Sequence, residues 1–264
     1  VVITTGTTLP FVDVPAHERA AAFVRRVSTN RTDIRDVALA GFDRSRALRV
    51  LDLGCGFGFM TEWLAQHLEP AAQIIGIDAL AENRAPYMAQ LERWGRRGTF
   101  VEQVIHDDLP WPEATFDLVV SSYSLYFFPA IIPAVRRVLA PQGRFLLITH
   151  SLSSLKALLA ATGLPPEQAP LLPIVGRFCA ENGRDLLAAS FETVEACGFA
   201  NSLKIESGDV LSLVDYIAFK LPLLAAIDPQ TSSAAILAAV HDHLMARTPL
   251  VIAKDDAVFR CQVP

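Results

Sequence analysis

Charge is scarce in this chain. Asp, Glu, Lys and Arg make up 19% of its 264 residues against 52% hydrophobic ones, and the formal net charge is -5. Basic residues cluster no further than the pairs Arg25-Arg26, Arg96-Arg97 and Arg136-Arg137. A phosphate-matching face needs clustered Lys and Arg to displace counterions, so nucleic acid is not an expected partner. Cysteine is also sparse: Cys55, Cys179, Cys197 and Cys261 stand apart, with no C-x-x-C pair. That spacing offers neither a zinc site nor a thioredoxin-like motif, and reduced thiols in a cytoplasmic protein are expected. His241 and His243, two apart in a helical pattern, point to different faces, so no metal site is expected there either. Long hydrophobic runs are missing. The longest uncharged stretch, Leu118 to Val135, is broken by Ser121, Ser122, Ser124, Pro129 and Pro133, whereas a membrane span needs about 20 predominantly apolar residues. The start of the chain lacks the basic-then-apolar layout of a secretory signal.

What is present is a packed α/β pattern. The length lies between one large and two small domains. Residues 1–14, Thr-rich and punctuated by Pro10, read as an arm, and Pro15 to Phe42 reads as two short helices interrupted near Ser28-Thr29-Asn30. From Arg49 short apolar runs alternate with amphipathic stretches, the signature of βαβ units and a parallel sheet. Strands are expected at Arg49–Leu53, Gln73–Ile77, Thr99–Ile105, Phe116–Ser121 and Arg144–His150. Met60, Trp63, Leu64 and Leu68 share one helical face, as do Ala85, Met88 and Leu91, and again Ile131, Val135, Val138 and Leu139; all three faces are read as core. Pro141-Gln142-Gly143 turns the chain into the fifth strand. Beyond His150 we expect a Leu- and Pro-rich insertion over 151–182, a helix over Arg184 to Cys197, a short strand near Leu203 to Glu206, an apolar helical region over Val210 to Arg247 and a last strand over Leu250 to Cys261. The domain reading is an N-terminal cap over 1–48, an α/β core over 49–150, a lid over 151–182 and the rest of the core over 183–264, with a second helical insertion at about 210–247.

The chemistry concentrates in Val50-Leu51-Asp52-Leu53-Gly54-Cys55-Gly56-Phe57-Gly58, an apolar strand with an acid near its end that runs into three alternate glycines. Glycines let the backbone turn tightly and approach a ligand. The helix behind them, Met60 to Leu68, aims unpaired N–H groups and a positive dipole end at whatever binds. A tight strand-to-helix turn would use the same glycines for structure alone. The dinucleotide fingerprint needs G-x-G-x-x-G, but the third glycine comes one residue early and Phe59 occupies the dinucleotide position, which places nicotinamide cofactors second.

This run resembles motif I of the class I S-adenosylmethionine-dependent methyltransferases, and three further stretches are similar to that family: Ile74-Ile75-Gly76-Ile77-Asp78, the stretch His106 to Pro112 leading into Phe116-Asp117-Leu118-Val119, and Val135 to Ile148, where Gln142 departs from the family's glycine. The resemblance covers about Leu48 to Ser151. It implies a doubly wound, seven-stranded, mostly parallel sheet of the Rossmann-like methyltransferase fold with helical cap insertions, and S-adenosylmethionine as cofactor. Carried over residue by residue, it implies that Gly54, Cys55, Gly56 and Gly58 line the methionine part, and that Asp52 helps hold the ammonium. It places Asp78 on the ribose hydroxyls with Ala79 beside it, and Asp107 or Asp108 on the adenine amine. Ser121 would border the methionine tail. Otherwise Asp52 is a capping acid for the loop and Asp78 a helix N-cap.

The expected acceptor is a small, apolar-bodied molecule methylated at O, N or C. If it is a hydroxyl, His150 at the carboxyl end of the fifth strand is the candidate general base, with Tyr123 and Tyr126 walling the acceptor or simply packing. The apolar surface of the two insertions would be buried over a lipid-like, polyketide-like or aromatic metabolite, or in a homodimer. A protein or RNA methyltransferase, a nicotinamide oxidoreductase and a non-catalytic binding module are the alternatives. Ser121-Ser122-Tyr123-Ser124 stands where many amine- or base-modifying relatives carry an Asn-Pro-Pro-Tyr-like motif.

Overall fold

In a computed structural model of the chain, residues 13–45, 48–225 and 232–264 are described; the arm expected over residues 1–14 lies almost wholly outside them. Two helices come first, α1 (Val14–Val27) and α2 (Ile34–Ala38), each started by an aspartate side chain that accepts from the first turn: Asp13 from Ala16 N–H, Asp33 from Arg35 N–H. The core follows as β1 (Arg49–Leu53), α3 (Phe59–His67), β2 (Gln73–Asp78), α4 (Arg84–Arg93), β3 (Arg97–Glu102), β4 (Phe116–Ser122), α5 (Ile132–Val138) and β5 (Leu139–His150). Next come α6 (Leu152–Thr162), α7 (Leu171–Val175), α8 (Gly183–Ala188), β6 (Thr193–Phe199), β7 (Ser202–Ile205), α9 (Val210–Leu224), α10 (Ser233–Met245), β8 (Leu250–Ala253) and β9 (Asp256–Gln262).

Seven strands form one sheet in the order β3-β2-β1-β4-β5-β9-β6. The first five are parallel, and β9 runs antiparallel between β5 and β6. Val50 to Leu53 of β1 are all buried because the strand has neighbours on both sides and helices on both faces. Strand order reverses between β1 and β4, which opens a crevice at their carboxyl ends, where ligands of open α/β sheets bind. Of the three helical faces expected as core, those of α3 and α5 are buried as read, but in α4 the buried residues are Tyr87 and Leu91, with Ala85 exposed. Gly76 makes room for Tyr87: a Cβ on β2 there would lie 2.4 Å from the ring.

Two expected elements are corrected. The helix expected over Arg184 to Cys197 stops at Ala188, and Thr193–Phe199 instead forms the edge strand β6 against β9. Ala- and Glu-bearing sequence reads as helix locally, yet the edge of β9 supplies a ladder that overrides that preference. The strand expected over Leu250 to Cys261 is two strands. At the break, Asp255 accepts from the Asn201 N–H at 2.9 Å while the Lys254 N–H donates to the Asn201 carbonyl at 3.0 Å, bending the chain so that β8 pairs with β7 in a separate two-stranded sheet. The cap over the crevice is assembled from distant segments: α1 packs on α9 and β7, α6 on α7, α10 and β8, and α9 on α10.

Candidate functional site

β1 ends where its hydrophobic run ends, and the next residues leave the sheet only because glycine permits it. Gly54 and Gly56 sit at φ 63° and 52°, in the left-handed region that side chains resist. The Gly54 and Cys55 N–H groups donate to the Ile77 carbonyl at 2.9 and 3.1 Å, tying the loop to the end of β2. A Cβ on Gly54 would lie 2.5 Å from the Ser124 Cβ, so that glycine makes room for protein. A Cβ on Gly56 would meet nothing within 4 Å; that glycine borders open space.

Asp78, the last residue of β2, braces this loop. Its Oδ2 accepts the Gly56 N–H at 2.9 Å, and its Oδ1 accepts the Leu80 N–H at 3.0 Å and the Asn83 amide at 3.1 Å. A carboxylate offers about four acceptor positions, so three bonds leave room for a further donor. Asp52 is only 1% exposed; its Oδ2 accepts the Thr61 hydroxyl at 2.7 Å and its Oδ1 has no partner. Burial pushes its carboxyl up to about 7, with the Thr61 bond opposing and the Asp78 charge adding. Cys55 turns its thiol into the core beside Gly76, so only its backbone faces the loop, and burial pushes the thiol up. Ala79 is exposed just past β2.

Asp107 and Asp108 are both exposed. Asp108 is held by Arg137 at 2.8 Å, which leaves Asp107 the freer of the two. Ser121 bonds Ser124 at 2.8 Å through their hydroxyls, and Ser124 in turn donates to the Leu53 carbonyl at 2.8 Å. Both side chains therefore serve to join the ends of β1 and β4. Over the glycine loop lies the cap: the His17 ring of α1 is 4.4 Å from that of Phe57 and 5.6 Å from that of Phe219 on α9. Burial, then the nearby Lys220 charge, push His17 down to about 4.

A second group of polar side chains gathers at the ends of β4, β5 and β9. His150 stands opposite Asp256 in the β5–β9 register, and its Nδ1 lies 3.0 Å from the Asp256 Oδ1. Tyr123, turned by a φ of 54°, donates its hydroxyl to the Asp256 Oδ2 at 3.1 Å, and Lys254 donates to the same oxygen at 2.6 Å. The ring of Tyr123 lies 4.5 Å, and that of Tyr126 6.1 Å, from that of His150. Burial pushes the Asp256 carboxyl up, but the Lys254 charge and the hydrogen bonds from His150 and Lys254 outweigh it and hold it well below the usual range. For His150 burial prevails over Asp256, and its imidazole is pushed down to about 4. With Nδ1–H bound to a carboxylate, Nε2 is the accepting nitrogen. His150 lines a cavity of about 30 Å³ between the sheet end and the cap, space for a small number of waters. A wider hollow of about 400 Å³ along β6 and β9 includes Asp255 and Asp256 but no Lys, Arg or His.

Among the candidates read from sequence, the structure thus brings Asp52, Gly54, Gly56 and Asp78 together at one crevice. His150, Tyr123 and Tyr126 meet at its neighbour. His17, Ser124, Lys220, Lys254 and Asp256 escaped the reading. Lys254-Asp255-Asp256, charges in an apolar run, was the available signal for the last pair.

Five parallel strands with a reversed order at β1/β4, an antiparallel strand inserted before the edge and a braced glycine loop at the switch point define the class I, S-adenosylmethionine-dependent methyltransferase fold. Residues 50–143 match the methyltransferase domain family. The uncharacterized methyltransferase YcgJ of Bacillus subtilis is 31% identical over 105 residues, which are 39% of this chain and 40% of that protein. A tRNA1(Val) (adenine(37)-N6)-methyltransferase of Yersinia pestis is 37% identical over 87 residues, 32% of this chain and 35% of the relative. The matches therefore span well under half the length of these curated relatives. Among solved structures, that of the [4+2]-cyclase SpnF superposes with a TM-score of 0.54 at 18% identity, covering 98% of this chain and 97% of the other. The YcgJ crystal structure gives 0.52 at 16% identity, covering 94% and 98%. These likenesses concern the fold. Among the described residues no helix is long and apolar enough to cross a membrane.

Proposed function

We propose that the chain transfers a methyl group from S-adenosylmethionine to a small, apolar-bodied molecule held between the sheet end and the helical cap. The observation that carries this is the crevice at β1/β4, where Gly56 borders open space and its N–H is held by the carboxylate of Asp78, with the buried, partnerless Asp52 Oδ1 behind the loop. These residues suit the cofactor: an acid with acceptor capacity for ribose hydroxyls, a glycine with no side chain in the way, and behind them a buried acid whose charge would favour an ammonium at the loop. Asp107 is the acid free to accept from the adenine amine. The cofactor supplies a methyl group on a sulfonium, whose charge disappears as the methyl leaves.

The residues of this chain align and exclude water. Holding an acceptor in line at near-attack distance contributes about 7–11 kcal/mol, and the cap of α1, α6, α7, α9 and α10 lies over the strand ends where that must occur. Leu155, Leu158, Leu171 and Ile252 give the strand ends an apolar wall, and the cap must part to admit an acceptor body, since the cavity between them is about 30 Å³. A net charge of -5 does not suit an RNA acceptor.

Calorimetry with S-adenosylmethionine, S-adenosylhomocysteine and NADH tests the cofactor: binding of the first two and none of the third is expected, and the reverse refutes the reading. Asp78→Ala removes both the brace of Gly56 and the acceptor for the sugar, and is expected to weaken S-adenosylhomocysteine at least tenfold, about 1.4 kcal/mol. A methyl-labelled assay against a metabolite extract and against total tRNA then separates acceptor classes.

A further inference from the structure

Behind the glycine loop lies a carboxyl whose surroundings do not favour an anion. Asp52 pairs with Gly76 of β2 and Val120 of β4 in the middle of the sheet and is fully buried. A single hydrogen bond reaches it, from the Thr61 hydroxyl of α3, and its Oδ1 is buried with no partner. The titratable groups around it are Cys55 in the loop, Asp78 at the end of β2 and Tyr87 on α4, and none of them is a cation. Asp78 collects three N–H donors, from Gly56, Leu80 and Asn83. Two carboxyls thus flank one loop, and the one with a single donor is the one that keeps a proton.

We propose that Asp52 is a proton switch for the loop: it is a neutral acid while the loop is empty and an anion once a ligand bearing an ammonium group is seated there. The carboxyl O–H bond breaks, its electron pair stays on the carboxylate, and the proton leaves to solvent as the ligand arrives. This rests on the cofactor reading above and gives that site a regulation, an affinity that climbs with pH.

Geometry and acidity agree. Burial, against the Thr61 bond and with the Asp78 charge, pushes Asp52 up to about 7. Burial and then the Asp52 charge push Cys55 and Tyr87 up as well, so neither changes charge in that range. His17, over the loop, is pushed down to about 4 and is already neutral there. A positive group brought to the loop stabilises the anion behind it, and by linkage the anion holds that group more tightly. The sign follows. Below about pH 7 a proton competes with the ligand, and above it little further affinity is gained. With Asp52 fully ionised in the complex, affinity changes up to about tenfold per pH unit below that point, or about 25-fold between about pH 5.5 and about pH 7.5. A ligand with the same nucleoside but no ammonium would leave the proton in place.

The test compares S-adenosylhomocysteine with 5′-methylthioadenosine, which shares its nucleoside and thioether but lacks the amino-acid end. Calorimetry in buffers of different ionisation enthalpy counts the protons that binding releases. At about pH 6 the wild-type chain should release close to one proton with S-adenosylhomocysteine and none with methylthioadenosine. Asp52→Asn should release none with either, and its affinity should stay nearly level from about pH 5.5 to about pH 7.5. Thr61→Val removes the one donor to the carboxyl and should move the steep part of the affinity profile upward by about one pH unit. Binding of S-adenosylhomocysteine to the wild type without proton release, equal release with methylthioadenosine, undiminished release in Asp52→Asn, or an unmoved profile in Thr61→Val each overturns the proposal. Calorimetric silence with S-adenosylhomocysteine at every pH would overturn the cofactor reading beneath it. The infrared band of a protonated carboxyl in the ligand-free protein, present at about pH 6 and lost in Asp52→Asn, tells that failure from an Asp52 that never held its proton.

Discussion

Asp256→Asn keeps the shape of the side chain and removes one charge from a largely buried cluster, which makes it the sharpest perturbation of the His150 end of the sheet. The carboxylate is 6% exposed and takes three hydrogen bonds, from Lys254 at 2.6 Å, His150 at 3.0 Å and Tyr123 at 3.1 Å. The amide oxygen can keep one or two of them, but Lys254, 20% exposed, loses its counter-ion. Removing one partner of a buried ion pair costs about 3–5 kcal/mol, because the other charge stays behind without compensation. Since Asn retains some acceptor capacity, a loss near the lower limit, about 3 kcal/mol, is expected in urea unfolding. At about 2–4 °C per kcal/mol for a chain of this size, the melting temperature should fall by roughly 6–12 °C.

Lys254→Met alone strands the carboxylate and should cost a similar amount. The double variant Asp256→Asn, Lys254→Met should cost clearly less than the two singles added, since replacing both members of a buried pair is close to neutral. The pH dependence has a definite sign. The folded-state carboxyl is held below its unfolded value of about 4, so the unfolded chain binds more protons there. The stability difference between wild type and Asp256→Asn should be full above about pH 5 and shrink as the pH falls below about 4. A single-variant loss under about 1 kcal/mol, or additive losses in the double variant, would refute the account of a desolvated, mutually dependent cluster.

Asp52 has the opposite sign: its folded carboxyl is raised to about 7, so the folded protein holds a proton that the unfolded chain has released. Stability of the ligand-free protein should therefore fall as pH rises from about 4 to about 7, by at most about 4 kcal/mol, and Asp52→Asn should abolish that fall in thermal scans. A flat wild-type profile would contradict it. The loop glycines should separate space from strain. Both Gly54→Ala and Gly56→Ala place a side chain in the left-handed region at about 1–2 kcal/mol. Only the first also drives a Cβ to 2.5 Å from Ser124, so Gly54→Ala should destabilise more in urea. Gly56→Ala should stay folded but bind S-adenosylhomocysteine at least tenfold more weakly; unchanged affinity would show that the open space is not the cofactor's.

The glycine-loop crevice was readable in the sequence because its parts are close in the chain. Asp52, the glycines and Thr61 lie on one strand-loop-helix unit, and Asp78 ends the very next strand, so residue spacing and tertiary geometry carry the same information. Parallel strands buried on both faces announced themselves as apolar runs. Where local preference and context disagreed, the reading failed: Thr193–Phe199 looked helical until the edge of β9 was there to pair with it, and one apolar run over Leu250 to Cys261 hid the turn made by Asn201 and Asp255. Cys55 was readable as part of the glycine loop, but nothing local showed that its thiol faces Gly76 and the core.

The cluster around His150 obeys a different logic. His150 and Asp256 are separated by 106 residues, and Tyr123 and Asp256 by 133; no periodicity links them, and only the antiparallel register of β5 with β9 puts them side by side. His17 and Phe219 approach Phe57 from the two ends of the chain. On the function proposed above, cofactor recognition is kept by one contiguous stretch while acceptor recognition is assembled from the last strand and the cap. On this fold, substitutions in α9 or in the turn before β9 should alter which molecule is bound without disturbing the glycine loop. Lys220 on α9 is one such position: it lies on the cavity wall beside Tyr216 and makes no bond to the Asp52–Asp78 network.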